Sequence, residues 1–473
     1  MANALSFIRG STTITLTDEA SGYKLLSYAP RSPAFAPEQM ASVLSGVWLH
    51  EQPPTVAESC VILLSKSTAA MAKAAINAIE QMLSYAAPMR HQLNTGDRVY
   101  VRFTPDGGSA YQSEIIGGSI DYDADAFRRT FWTAGKFKIT LAWERRYYWE
   151  ATSLAAVSIG ANAAADSAST QTIQNLAAST GGTLTNWIQI AASAIAQNSI
   201  PAAYQMEFTS VSPAETLGSI YIGHQLDYGN AMDYTPALEA EGAASINALY
   251  AASAIILNRS GAGAVNASIY SSSVASLMNW RMGAASANIS PYVKPMAVFR
   301  TAPSNCTTQL RWTLLNQGVM AQSDFVTLTT CALVQPLPTI RLQPLVGTLS
   351  TGSWLLRLDA RDSASNGTFS LDWIDLMPVG AGHGFRHIHN IDDAQNAGAT
   401  CIIDDETEGL VYGASAGSAY GLYTVHGGPI LLSPSQLQRL HFVWTTLSTC
   451  PEGASPIARA NVALWYKQRT LTI

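Results

Sequence analysis

Hydrophobic and polar residues alternate in short runs along most of the chain. Ser11-Thr12-Thr13-Ile14-Thr15-Leu16-Thr17 sets hydroxyl against aliphatic side chains in period two, which predicts a half-buried strand. Val61-Ile62-Leu63-Leu64 is apolar throughout and reads as a fully buried strand. Further strands are predicted at Arg98–Phe103, Gly117–Tyr122 and Phe137–Glu144, the last running on into the aromatic stretch Arg145–Glu150. Pro105-Asp106-Gly107-Gly108 is a turn between two of them. Residues 30–54 are rich in proline and read as an extended loop ending in a strand at Val47-Trp48-Leu49.

One segment changes period. Ile76, Ile79 and Leu83 recur at helical spacing, and Ala72, Ala75 and Met82 widen the stripe, so an amphipathic helix is predicted over 69–86. Ser67 or Thr68 can cap it and Pro88 is expected to stop it. Residues 151–182 then turn to Ala, Ser, Thr, Asn and Gly. So few large side chains bury little area, and the stretch reads as a connector. Short strands return beyond it to the end, with no second good helix. The expected fold is mainly β, built of sandwiches.

At 473 residues the chain has room for roughly three domains. Hydrophobic residues make up an ordinary 48%, but charged residues only 13%, against about 25% in typical soluble domains. A surface of small uncharged residues suits a chain packed against copies of itself; a β-rich secreted protein is the blander reading. Net charge is −6, and the densest basic spots are the pairs Arg128-Arg129 and Arg145-Arg146, both in strand-like sequence. Nucleic-acid binding, which needs a basic stripe, is not expected. The five cysteines, Cys60, Cys306, Cys331, Cys401 and Cys450, contain no CxxC pair and match no zinc spacing. Reduced thiols fit folding in a bacterial cytoplasm, although Cys306 and Cys331 could pair across one sandwich. Neither a signal peptide nor a membrane span is expected.

Three groups of segments resemble the distal tail protein family of long-tailed (siphovirus) bacteriophages. Lys136–Trp143 followed by Tyr147-Tyr148-Trp149-Glu150 is similar to that family's strand ending in a "PYW"-like corner, with Tyr147 where proline is usual. Ile200–Phe208 and Ile220-Tyr221-Ile222-Gly223 resemble the opening strands of its galectin-like domain. Cys401–Asp405, Gly428–Pro434 and Val462–Arg469 resemble the closing strands of that domain. Order along the chain carries the resemblance. Between the halves, Ala237-Leu238-Glu239-Ala240-Glu241-Gly242-Ala243 and Ser370–Pro378 look like the first and last strands of a carbohydrate-binding-module jelly roll.

The resemblance implies four parts: an N-terminal ring-forming belt domain (1–150), the connector (151–182), a galectin-like β-sandwich (183–223 plus 386–473), and an inserted jelly roll (224–385). It also implies a non-enzymatic virion protein at the phage tail tip, made in the host cytoplasm. That protein would form a ring, a hexamer by analogy, between the tail tube protein and the hub or tape-measure-associated proteins, with an accessory contact to host-surface glycan. The reading from a different class is a free carbohydrate-binding or carbohydrate-active protein.

Candidate chemistry is sparse. Glu239, Glu241 and Asp372 form a candidate calcium set, because Glu239 and Glu241 share a strand face by period two and the first and last strands of such modules are neighbours. An exposed polar strand face is the commoner meaning of such a pattern. Trp280, Trp312 and Trp354 could stack on sugar rings, although tryptophans in sandwiches are more often core. His383, His387 and His389 with Asp392 and Asp393 are the densest metal-capable cluster, set in a glycine-rich junction that reads more simply as a polar loop. Gly413-Ala414-Ser415-Ala416-Gly417 fits G-x-S-x-G but lacks the following helix that a nucleophile elbow needs.

Overall fold

The computed structural model describes residues 3–33, 55–89, 98–122, 135–161, 169–175, 185–195, 200–211, 217–226, 237–255, 263–282, 292–316, 318–330, 332–342, 354–379, 384–390, 400–404, 410–414, 423–428, 430–446 and 459–471. The described residues are mainly β with a single α-helix. They fall into two compact units, residues 1–155 with 197–202 and 467–473, and residues 156–196 with 203–466.

The first unit is a nine-stranded sheet. Its main path runs Thr12–Thr15, Ala4–Arg9, Val99–Thr104, Tyr111–Tyr122, Lys136–Arg145, Val56–Ser65, Tyr23–Tyr28, with neighbours antiparallel. Strand Val56–Ser65 alternates buried and exposed positions along its length, as a sheet with one core face requires. The helix Ala69–Met89 lies on that core face. Thr68 caps it by accepting the Met71 amide at 3.2 Å. Ala72, Ile76, Ile79, Met82 and Leu83 are all buried and share one cluster with Phe7, Val101, Ile115 and Trp143. The helix outruns its expected end at 86. It runs to Met89, so Pro88 does not stop it; a proline this near a helix end forfeits little beyond the hydrogen bond its own nitrogen would donate. A Cβ on Gly118 would meet the Ala142 carbonyl at 2.7 Å and Leu83 Cδ2 at 2.9 Å, so a bare backbone is what lets helix and sheet close.

The second unit holds two sandwiches. In one, a sheet ordered Ile159–Ala161, Trp187–Ile190, Gln438–Thr446, Leu217–Leu226, Phe385–Asn390, Tyr423–His426 packs on a sheet containing Thr170–Gln174, Arg459–Tyr466, Tyr204–Ser210, Thr400–Asp404 and Leu410–Ala414. Phe208 of the second sheet meets Phe442 at 5.7 Å and Trp444 at 5.2 Å across the core. The strands come from both sides of residues 237–379, which form a sandwich of their own. One of its sheets contains Ala237–Glu239, Gly263–Ile269, Gly367–Val379 and Tyr292–Thr301; the other is built on Ala275–Met282, Trp354–Asp362 and Thr308–Leu315. Val265, Ile374 and Phe299 from the first meet Met278, Trp312 and Leu356 from the second in one buried cluster.

Two boundaries differ from expectation. The stretch read as a connector contributes strands: Ile159–Ala161 pairs with Trp187–Ile190, and Thr170–Gln174 pairs with Arg459–Ala463. Backbone pairing needs no large side chain, and of this second strand only Ile173 and Gln174 are buried. At the far end, Arg469-Thr470 leaves the sandwich and pairs with Trp149-Glu150 in the first unit.

Candidate functional site

The apolar stripe of the helix is core, so it offers a ring no surface. Ile76, Ile79 and Leu83 are at most 5% exposed. The helix turns outward Asn77, Glu80, Gln81 and Ser84 instead, and these line an open groove of about 540 Å³ with Leu83, Gly118, Ser119 and Ile120. A strand edge in 117–143 is the other place where a ring contact could form. Lys136–Arg145 is interior, flanked on both sides. Strand Tyr111–Tyr122 is divided: Tyr111–Glu114 pairs with Tyr100–Phe103, whereas Gly117–Tyr122 pairs only with Ile139–Glu144 among the described residues. Gly118, Ser119 and Ile120 of this second half form one wall of the groove.

The joint between the two sandwiches of the second unit is built, not incidental. All ten residues of Leu217–Leu226 are buried, although the strand lies in a sheet with two faces. One face carries Ile220 and Ile222, opposite Trp444 and Phe442, into the sandwich core. The other carries Tyr221, which joins Val443 in a cluster with Met296, Val298, Val334, Trp373 and Met377 of the inserted sandwich. The Asn186 side-chain amide crosses the same joint, donating to the Asp375 carboxylate and, at 3.1 Å, to the Phe442 carbonyl. Burial pushes the Asp375 carboxyl up to about 7 against the opposing effect of that amide.

A ladder of aromatic and imidazole rings borders the joint. Tyr221, His387 and His426 are register partners on three adjacent strands. Tyr221 stacks on His387 at 4.1 Å, and His387 stands 5.7 Å from His426 and 6.0 Å from His389. Ser219 Oγ lies 2.9 Å from His389 Nδ1. Burial, aided by His389, His426 and Lys294, lowers the His387 pKa to about 4. His426 belongs to this group although the chain separates it from the H-x-H pair; only strand pairing reveals it. His383, Asp392 and Asp393 lie outside the described residues, as does Ser415.

The candidate calcium residues are only partly brought together. The first and last strands of the insert do pair, with Glu239 opposite Trp373, and the Ala240 amide donates to the Asp372 carbonyl at 3.0 Å. Glu239 and Glu241 do not share a strand face, because the strand ends at Glu239 and the chain turns over Ala240–Ala243. Glu241 packs against Gly263, and its pKa is raised by burial against the backbone amides of Glu241 and Gly263. Among the described residues no group of three or more His, Cys, Asp or Glu side chains is placed to hold a metal ion. Trp280, Trp312 and Trp354 are at most 4% exposed in the insert core, so none offers a face to a sugar. Their indoles fill the space between the two sheets, and Trp280 Nε1 donates to the Glu239 carbonyl at 2.8 Å.

Cys60 and Cys401 are buried free thiols, and Cys306 is an exposed one. Cys331 and Cys450 lie outside the described residues. No described helix is long and apolar enough to cross a membrane.

No protein-family model matches the chain, and no curated protein matches it. Among solved structures, a chain of the phage P2 baseplate in its activated conformation with calcium is similar at 6% identity, over 46% of this chain and 72% of that one, with a TM-score of 0.27. The infectious bursal disease virus VP2 subviral particle is similar at 8% identity, over 67% of this chain and 81% of that one, with a TM-score of 0.16. Similarities this slight carry no argument about fold or role.

Proposed function

We propose that the chain is a structural component of a bacteriophage tail tip, a distal tail protein that forms a ring between the tail tube and the hub, with the insert as an accessory contact to host-surface glycan. One observation carries the reading. The segments resembling the opening and closing strands of the family's galectin-like domain are direct neighbours in one sheet. Strand Tyr204–Ser210 pairs on one side with Thr400–Asp404 (Met206 opposite Ile403) and on the other with Arg459–Tyr466 (Met206 opposite Leu464). Between the paired segments, residues 237–379 form a sandwich of their own, as an inserted module would. The groove between the helix and strand residues Gly118–Ile120 supports ring closure, since a ring needs one surface of a subunit to meet a different surface of the next. Partners on this reading are further copies of the chain, the tail tube protein and hub or tape-measure-associated proteins. The role is assembly and attachment rather than catalysis. Native mass and negative-stain images of the purified full chain test it: closed rings, alone or on adding tube or hub protein, are expected. A monomer under all these conditions would overturn the ring and favour a free carbohydrate-binding protein.

A further inference from the structure

The insert uses one of its two sheets against the neighbouring sandwich, through Met296, Val298, Trp373 and Met377. The outward face of its other sheet takes no part in that contact, and its composition differs sharply from the rest of this weakly charged chain. Along Trp354–Asp362, Leu356, Leu358 and Ala360 point into the core, so Arg357, Asp359 and Arg361 share the opposite face. Across the ladder, Arg311 stands opposite Asp359, Gln309 opposite Arg361, and Thr313 opposite Arg357. On the other side, Asn279 stands opposite Arg357, and exposed Arg281 follows two residues on.

These groups are held rather than free to swing. Asp359 is fully buried; it accepts from Arg311 Nε at 3.2 Å and Thr313 Oγ1 at 2.8 Å, and pairs with Arg357 Nε at 2.6 Å. Arg361 Nε donates to Gln309 Oε1 at 2.7 Å. The Phe325 ring lies against two guanidiniums, Arg311 at 4.5 Å and Arg361 at 4.1 Å. Arg311 and Arg361 spend their Nε on the protein, which fixes the plane of each fork and leaves terminal N–H groups for a ligand, whereas Arg357 donates a terminal N–H to Asp359 at 3.2 Å. Counting exposed Asp324 beside Phe325, four guanidiniums face two carboxylates, on a chain whose net charge is −6. Amides of Asn279 and Gln309 lie between the charges on the same strands, and Gln322 and Thr327 lie on the adjoining edge strands, opposite Thr313 and Gln309.

We infer that this face binds an acidic polysaccharide, the guanidiniums taking its carboxylate or phosphate groups and the interleaved amides and hydroxyls its sugar hydroxyls. A nucleic acid fits less well: Phe325 is engaged by guanidiniums rather than offered to bases, and no basic stripe continues beyond the patch. The inference rests on the accessory-contact part of the proposed function and not on the ring.

The test is binding of the full chain to polygalacturonate (carboxylate), polyglycerol phosphate (phosphate), dextran (neutral) and single-stranded DNA, measured by calorimetry at low and high salt. Saturable, salt-weakened binding to one of the two acidic polymers and none to dextran is expected, and the polymer bound identifies the anion. Arg361→Gln and Arg281→Gln spare the Asp359 network; each is expected to weaken binding roughly tenfold or more with unchanged melting. No binding to either acidic polymer, equal binding to dextran, tighter binding to DNA, or affinity unchanged in both variants would each overturn the assignment. Ring formation is read separately from native mass, so a monomer that binds acidic glycan refutes the ring alone.

Discussion

Arg145 and Glu58 face each other at 2.7 Å with both side chains fully buried in the first unit. Both terminal nitrogens of Arg145 and both Glu58 oxygens are engaged, while the buried Arg145 Nε takes no partner. Glu58 accepts the Tyr28 hydroxyl at 2.9 Å and the Arg31 amide at 2.8 Å, while Arg145 donates at 2.7 Å to the carbonyls of Arg31 and Arg146 and stacks over Trp149. Burial first, and the Glu58 charge second, hold the Tyr28 phenol well above its ordinary pKa. The network ties the segment after strand Tyr23–Tyr28 to the centre of the sheet.

Removing one partner leaves a buried charge uncompensated, which costs about 3–5 kcal/mol. Glu58→Ala is expected to lower the melting temperature strongly. The double variant Glu58→Leu/Arg145→Met is expected to recover most of the loss, because no lone charge remains. Calorimetric melts of the parent and these variants, with Arg145→Met alone, decide it; an Arg145→Met single variant as stable as the parent would contradict this account.

Ile79→Asp is expected to unfold the first unit rather than to report on assembly, since Ile79 is fully buried beneath the helix. Assembly is better probed from the groove. Gln81→Trp and Ser119→Arg alter exposed or half-exposed positions. They should leave circular dichroism unchanged and shift native mass from ring to monomer. Rings persisting in both variants would show that the contact lies elsewhere.

The joint in the second unit makes two opposed pH predictions. His387, at about 4 when folded, refuses a proton that the unfolded chain accepts near 6.5, so its share of stability is present above 6.5 and lost as pH falls toward 4. Asp375, at about 7, keeps a proton that the unfolded chain releases near 3.8. Its share is present at acid pH and lost as pH rises toward 7. Asp375→Asn should therefore raise the melting temperature at pH 7.5 and flatten the decline between pH 5 and 7.5, with the Asn186 contact kept by the amide oxygen. His387→Phe should lessen the loss below pH 6. Melting curves from pH 4.5 to 8 check both, and a variant profile parallel to the parent's would refute the assignment concerned.

Calcium at Glu239, Glu241 and Asp372, which the fold brings together only in part, has its own readout. A ligand of the folded state raises its melting temperature. If the three carboxylates share an ion, millimolar calcium should stabilise the full chain relative to a chelator, and Glu241→Gln should abolish the difference. An identical melt with calcium and chelator removes the ion from the picture.

What could be read before the fold was known follows from range. The helix was legible because its signal is local: a hydroxyl cap and a stripe at 3.6-residue spacing lie within about two dozen residues, while Pro88 set its end too early. Strand Val56–Ser65 was half legible, its apolar half plain and its Glu58 unremarkable. Nothing near Glu58 names Arg145 as its partner, 87 residues away. Asn186 and Asp375, 189 residues apart, were equally silent. The strand Thr170–Gln174 was missed because its composition resembles a linker and its stability comes from backbone partners near the other end of the chain. The arginine face went unread for a related reason. Its charges alternate with core residues on separate strands, so no run of basic residues marks it, and only the ladder sets Arg311 beside Asp359.

The way the insert is attached bears on how such a chain can fold and diversify. Gly223 and Phe385 are register partners in one sheet, and Ala237 and Asp375 are register partners in another. The insert thus leaves and re-enters the sandwich across one antiparallel strand pair, where a short hairpin turn would serve as well. Once folded, it presents its own two ends side by side, so the sandwich closes a short gap instead of a long loop. Roughly three halvings of effective loop length, at about 0.6 kcal/mol each, lower the entropy of closure by ~2 kcal/mol. Folding is thereby ordered, cassette before frame. A lineage could exchange one cassette for another of different specificity, provided that each keeps its termini paired and supplies an apolar cover for Tyr221 and Val443.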